Sequence, residues 1–267
     1  MRGQRSITLR TASQLAKFLV TLVLCASSFY TGTYYAKVYT STCESASRGV
    51  VSERKHECFA RNMCPSLANG ISMIANHAAF LSFDGDNARY AAHSYLTKTS
   101  LMLEVGGFTG VDVLEMRKRF GGFRVLLFEP VFHREAQENL RNEQVEVYPY
   151  GLGKTSREIF FDISGDGTHP SSGGLKGQVK SFTSVLVELK IDRVDLLQIN
   201  CEGCEWEVLE AAIETIHVFH HIQVQFHQNA DWVENKLERY ARIQDKLTQT
   251  HELVFDHPWI WQLWRLK

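Results

Sequence analysis

From Leu101 to the C-terminus, short apolar runs alternate with stretches in which apolar residues recur every three or four positions, the rhythm of strands alternating with amphipathic helices. LMLEV predicts a first strand and Val111 to Phe120 a helix; FRVLLF predicts a second strand, followed by a helix from about His133 to Arg141; VEVYPY predicts a third strand. An extra strand near Ile159 to Ile163 and a Gly/Ser/His/Pro loop from Ser164 to Gly177 follow. VDLLQIN predicts a fourth strand, leading into a helix from Glu205 to about Ile216 whose Leu209, Ala212, Ile213 and Ile216 form an apolar stripe. HIQVQFH predicts a fifth strand and a helix through Lys246, and ELVFDH with WIWQLWRL a closing hairpin around His257-Pro258. Strands and helices in alternation bury most surface as a parallel sheet covered on both faces. The predicted architecture is therefore an α/β, Rossmann-like sheet of about seven strands with the last antiparallel.

The N-terminal third reads differently. Phe18 to Ala36 carries no charge and is just long enough to cross a hydrocarbon core. Arg2, Arg5, Arg10 and Lys17 precede it with no acid among them, which keeps that end cytosolic and sends the rest across the membrane. The expectation is a type II signal-anchor at 18–36 behind a cytosolic tail at 1–17, with a cleaved signal peptide as the alternative reading. A polar stretch at 37–64 reads as a stem. Residues 65–99 read as a helical lid, with Ile71, Ile74, Ala78 and Leu81 at helical spacing and a break at Asp84-Gly85-Asp86. The domain proper spans 100–267.

Across 267 residues the net charge is -1, with no long basic run carrying interleaved aromatics, which argues against a nucleic-acid partner. The anchor would put the domain in the secretory lumen or outside the cell, where disulfides persist. Five of the six cysteines follow the apolar run, so at least one is left without an intrachain partner.

The candidate chemistry gathers at strand ends, which in open α/β sheets face the ligand crevice. After the first strand, Glu104-x-Gly106-Gly107-x-x-Gly110 joins a carboxylate to glycines that let backbone approach a ligand. This differs from the dinucleotide pattern G-x-G-x-x-G, and the acid would repel a diphosphate while suiting an ammonium group such as that of S-adenosylmethionine. A plain strand-to-helix turn is the alternative. Glu129, at the tip of the second strand, is placed to accept the hydroxyls of a ribose. Gly151, after the third, allows a close approach to an adenine or ribose, or is an ordinary turn. Asn200 and Glu202, after the fourth, should flank whatever the cofactor reacts with, and Glu205 reads as a first-turn helix acid. His227, at the end of the fifth, could act as a general base towards a hydroxyl. No metal site is expected, because His217, His220 and His221 match no ligand spacing. Cys201 and Cys204 bracket a strand-to-helix turn, the setting of a thiol-disulfide exchange motif, or are small buried cysteines.

Together LEVGGFTG, FEP at Phe128 to Pro130, GLG at Gly151 to Gly153 and the late segment INCEGCEWEVLE resemble the FkbM-type S-adenosylmethionine-dependent methyltransferases. The resemblance covers about Tyr95 to the C-terminus and implies a class I methyltransferase sheet that moves a methyl group, usually to a hydroxyl oxygen. By that match Glu104, Gly106 and Gly110 hold the methionine end, Glu129 holds the ribose, and Asn200 with Glu202 lines the reaction crevice. The chain departs from the family at Asn200, where Asp is usual, and at Gln198, Cys204 and Thr183, where Lys, Ala and Asp are frequent. The expected activity is O-methylation of a glycan or of a secreted or lipid-linked small molecule; a methyltransferase-like binding protein without catalysis, or a disulfide enzyme using Cys201 and Cys204, is the alternative.

Overall fold

The computed structural model describes residues 78–82, 84–164, 167–227, 230 and 232–267. The apolar run at 18–36, the stem and the first part of the expected lid lie outside the described residues, and among those described no helix is long and apolar enough to cross a membrane.

The main sheet has seven strands: β1 (Leu101–Val105), β2 (Arg124–Phe128), β3 (Val145–Tyr148), β8 (Leu196–Ile199), β9 (His221–Gln225), β10 (His251–His257) and β11 (Trp261–Leu266). Their order is β10-β11-β9-β8-β1-β2-β3, and β11 runs antiparallel to both neighbours while β1, β2, β3, β8 and β9 pair in parallel. The sheet reverses direction of strand order beside β1, which opens a crevice at the carboxyl ends of β1 and β8.

Both faces are covered because successive side chains on a strand point to opposite sides. Leu103, Val105, Leu126, Phe128, Leu197, Ile199, Ile222 and Val224 pack in one cluster with α4 (Phe182–Glu188), α5 (Glu205–Ala212) and α6 (Lys236–Thr250). Met102, Val125, Leu127 and Leu196 pack in the other with Val113 and Met116 of α2 (Val111–Phe120) and with Tyr90 of α1 (Gly85–Ala91). Each such side chain removed from water contributes about 1.5–3 kcal/mol, so the sheet frame is the stable floor on which the strand-end loops are fixed.

Three elements differ from expectation. The stretch expected as a loop from Ser164 to Gly177 contains strand β6 (Gly167–Ser171) and the start of β7 (Leu175–Ser181). With β4 (Gly151–Gly153) and β5 (Arg157–Ser164) these build a second sheet, ordered β4-β7-β5-β6. β4 is buried while β6 and much of β7 are half-exposed or exposed, so cross-strand pairing rather than an apolar run holds the outer strands, and Pro170 is tolerated because β6 is an edge. Helix α4 was not expected at all; Ser181 caps it by accepting the Ser184 N–H at 3.4 Å. In the expected lid, Ala78 and Leu81 are exposed whereas Phe80 between them is buried, edge-on to His257. The break falls at Asp84, whose backbone is left-handed, and α1 (α3 being His133–Asn139, after β2) starts directly behind it.

Candidate functional site

A cavity of about 710 Å³ opens where the ends of β1, β2 and β8 face the second sheet. Its volume lies in the range typical of cofactor pockets. Val105, Gly106, Glu129, Gly151, Asn200 and Glu202 contribute to its wall, so four of the five strand ends singled out from the sequence converge on one space.

The turn after β1 is held by close backbone contact. Gly106 has φ +80 and donates its N–H to the Phe128 carbonyl at 3.0 Å, and a Cβ added there would lie 2.1 Å from the Asn200 carbonyl oxygen. Only glycine permits both the left-handed backbone and that approach. Gly110, with φ +85, sits at the start of α2, and Gly107 packs against Leu127; neither lines the cavity.

Glu129 braces the same turn. Its Oε2 accepts the Phe108 N–H at 3.0 Å, and its Oε1 accepts the N–H groups of Val131 at 2.9 Å and Phe132 at 3.1 Å. Burial raises its pKa, and the three N–H bonds pull the other way by favouring the carboxylate. Of about four lone-pair sites on a carboxylate, three are taken and one remains on Oε2, enough to accept one ribose hydroxyl rather than two.

Glu104 lies elsewhere. It shares the Met102 side of β1, is almost fully buried, and does not line the cavity. Gln198 reaches its Oε1 at 3.3 Å and the Asp112 carboxylate at 2.9 Å, while Oε2 has no hydrogen-bond partner. Arg89 neutralises Asp112 through two bonds of 3.0 Å and also holds Asp86 at 2.7 Å. Burial and the neighbouring Asp112 drive the Glu104 pKa well above its usual value. Gln198 therefore pairs with Glu104 and Asp112 rather than with Asn200, and residues of the expected lid serve this buried layer, not the cavity wall.

At the end of β8 the backbone turns sharply. Asn200 donates its N–H to Val105 at 2.9 Å; Glu202 and Gly203 then follow with φ +51 and +107. Glu202 is about one-third exposed, and its Oε1 lies 3.3 Å from His227 Nε2. Behind it Glu205, fully buried, accepts the N–H of Gly203 and of His227, each at 2.8 Å, and lies 3.4 Å from His227 Nδ1 without hydrogen-bond geometry. Burial disfavours a charged His227, but Glu202 and Glu205 outweigh it and hold the pKa up to about 10. His227 is thus an imidazolium at neutral pH and does not stand as a free general base. It also sits two residues past the end of β9, behind Glu202 rather than on the wall. Glu205 is a buried anchor for this loop more than a dipole partner.

Cys201 and Cys204 are joined in a disulfide and both line the cavity, in place of the expected pair of buried thiols. Among the described residues no cluster of three or more His, Cys, Asp or Glu could hold a metal; His221 instead stacks on Tyr95 with ring centres 3.5 Å apart. Sequence reasoning missed Phe108 and Phe132, which meet edge-to-face at 4.6 Å on the cavity wall, and Trp232, stacked on His169 at its mouth. An aromatic inside the glycine turn was the available signal for the first.

Residues 104–255 match the family model of the methyltransferase FkbM domain. No curated protein matches the sequence. Similar solved structures include a fibrillarin/Nop5p complex, at 11% identity over 64% of this chain and 73% of that one, with a TM-score of 0.40. Precorrin-6y C5,15-methyltransferase from Geobacter metallireducens is similar at 12% identity over 67% and 86%, with a TM-score of 0.40. A dimethyladenosine transferase from Plasmodium falciparum is similar at 12% identity over 68% of this chain, which spans 62% of it, with a TM-score of 0.41.

Proposed function

The chain belongs to the FkbM methyltransferase family, whose cofactor is S-adenosylmethionine, and we propose that it methylates a hydroxyl oxygen on a glycan or on a secreted or lipid-linked small molecule. The observation that carries this reading is the convergence of Gly106, Glu129, Asn200 and Glu202 on one cavity at the strand ends. The residues fit the cofactor: Glu129 keeps one acceptor site for a ribose hydroxyl, Gly151 leaves space at the wall, and Phe108 with Phe132 offers apolar faces. When bound, the cofactor supplies an electrophilic methyl group on a sulfonium.

The chain's own part is alignment, which can supply several kcal/mol of the barrier. Glu202 would accept a hydrogen bond from the acceptor hydroxyl, aim its oxygen into the cavity and take its proton as the C–O bond forms and the methyl C–S bond breaks. His227, held charged by two carboxylates, fixes Glu202 in place. Asn200 flanks the same space. A disulfide beside the site accords with an oxidising compartment, which supports placing the domain in the lumen or outside the cell behind a single-pass type II anchor at 18–36.

The test is transfer of labelled methyl from S-adenosylmethionine to released secretory glycans and lipid-linked oligosaccharides by the full chain. The reading expects an alkali-stable ether label that falls by about 10²-fold or more in Glu202→Gln. An alkali-labile ester, or transfer indifferent to Glu202→Gln, would count against it.

A further inference from the structure

We propose that the Cys201–Cys204 disulfide is a redox latch that holds Glu202 at the cavity wall against His227, and that a dithiol reductant releases it. The proposal rests on the reading of Glu202 as the carboxylate that meets the acceptor.

The disulfide closes a ring whose only other members are Glu202 and Gly203, with the two Cα atoms 5.4 Å apart. Both enclosed residues have positive φ. Glycine takes that conformation freely, whereas for a glutamate it is strained, and the closed ring helps to hold it there. The ring is pinned on each side. Cys201 packs against the cofactor turn, where a Cβ added to Gly106 would lie 2.6 Å from the Cys201 Cβ. Cys204 is the residue from which α5 starts, and Glu205 holds the Gly203 N–H at 2.8 Å. Trp232 lies over Gly203, its Nε1 2.8 Å from where a Cβ would stand. Within this frame the Glu202 carboxylate has one place to go, between His227 at 3.3 Å and Gly167 of β6.

Both cysteines are partly exposed on the cavity wall, so a small dithiol reaches them through the cavity. Reduction breaks the Sγ–Sγ bond: the dithiol gives two electrons and two protons, leaves two cysteine thiols and closes to its own disulfide. With the bond gone the turn keeps the Cys204 N–H to Cys201 carbonyl bond at 3.3 Å, the Glu205 bond to Gly203 and the cover of Trp232, but it loses its covalent closure, and the Glu202 backbone is free to relax and carry its carboxylate from His227.

The experiment follows the His227 imidazole by NMR titration in the full chain, assigned with His227→Gln, in the oxidised state and after dithiothreitol. Loss of one opposite charge near an imidazolium lowers its pKa by roughly one unit or more. Reduction is therefore expected to lower the His227 pKa in the wild-type chain. The Cys201→Ser/Cys204→Ser double variant should show the reduced value without reductant, which separates this bond from the other cysteines. Glu202→Gln should show a lowered value already and no further response to dithiothreitol. An unchanged titration on reduction, or an equal fall in the wild type and in Glu202→Gln, would overturn the latch. S-adenosylhomocysteine binding measured alongside belongs to the methyltransferase reading: its absence in the oxidised chain sinks that reading, and the histidine titration still decides the latch.

Discussion

His93 and His227 are both buried, yet one is kept neutral and the other charged. His93 bonds the Gln223 amide oxygen and the Tyr95 hydroxyl, the latter at 2.9 Å, and burial with the nearby His221 lowers its pKa to about 4. His227 suffers the same burial, but Glu202 and Glu205 carry its pKa up to about 10. The desolvation penalty is common to the two sites; the partners decide the sign. Neutral partners around His93 build a wall between β9 and the segment ahead of β1, whereas two carboxylates around His227 build a charged clamp behind the cavity. The first is structural, and the second places charge where chemistry is expected.

The largest effect should come from breaking the clamp at its buried end. Glu205→Ala leaves the buried imidazolium with Glu202 alone and strands the N–H groups of Gly203 and His227, and should cost about 3–5 kcal/mol in urea unfolding. A loss below about 1 kcal/mol would show that Glu205 does not hold the loop.

A smaller effect separates the two histidines by pH. The raised His227 pKa gives stability that is complete below the ordinary value of 6.5 and is lost as pH climbs through about 10. The lowered His93 pKa works in the opposite window: its contribution is complete above 6.5 and is lost as pH falls towards about 4, because the unfolded chain then binds the extra proton. His227→Gln should flatten the alkaline limb, and His93→Gln the acidic limb, each by something on the order of 3 kcal/mol. Denaturation midpoints across pH 4 to 10 for the two variants provide the check. Identical profiles would erase the distinction.

The contrast also marks what the sequence could disclose. The strand-to-helix handover at Leu101 to Phe120 was legible because a buried parallel strand is an apolar run and α2 starts after a glycine turn; α2 spans the expected Val111–Phe120. A sheet of about seven strands with the last antiparallel was expected from the same rhythm, whereas the strand order was not. The second sheet was not legible: β6 is GTHPS, whose composition reads as loop, and only pairing with β5 makes it a strand. The position of Glu104 could have been read from strand alternation, since Val105 faces the cavity and its neighbour in the strand must point away. The charge on His227 could not, because it depends on Glu205, 22 residues upstream, and on a turn with two left-handed residues. Likewise the spacing Cys-Glu-Gly-Cys suggested reactive thiols or buried ones, and the choice of a bond depends on how that turn folds.

The account stands on the cavity at the strand ends being the cofactor site, and calorimetric titration of the full chain with S-adenosylhomocysteine tests this most directly. The wild-type chain should bind, and Glu129→Ala, which removes the ribose acceptor and the brace of the Phe108 turn, should weaken binding by roughly 10-fold or more. A folded wild-type chain that does not bind, or a Glu129→Ala variant that binds equally well, would contradict it.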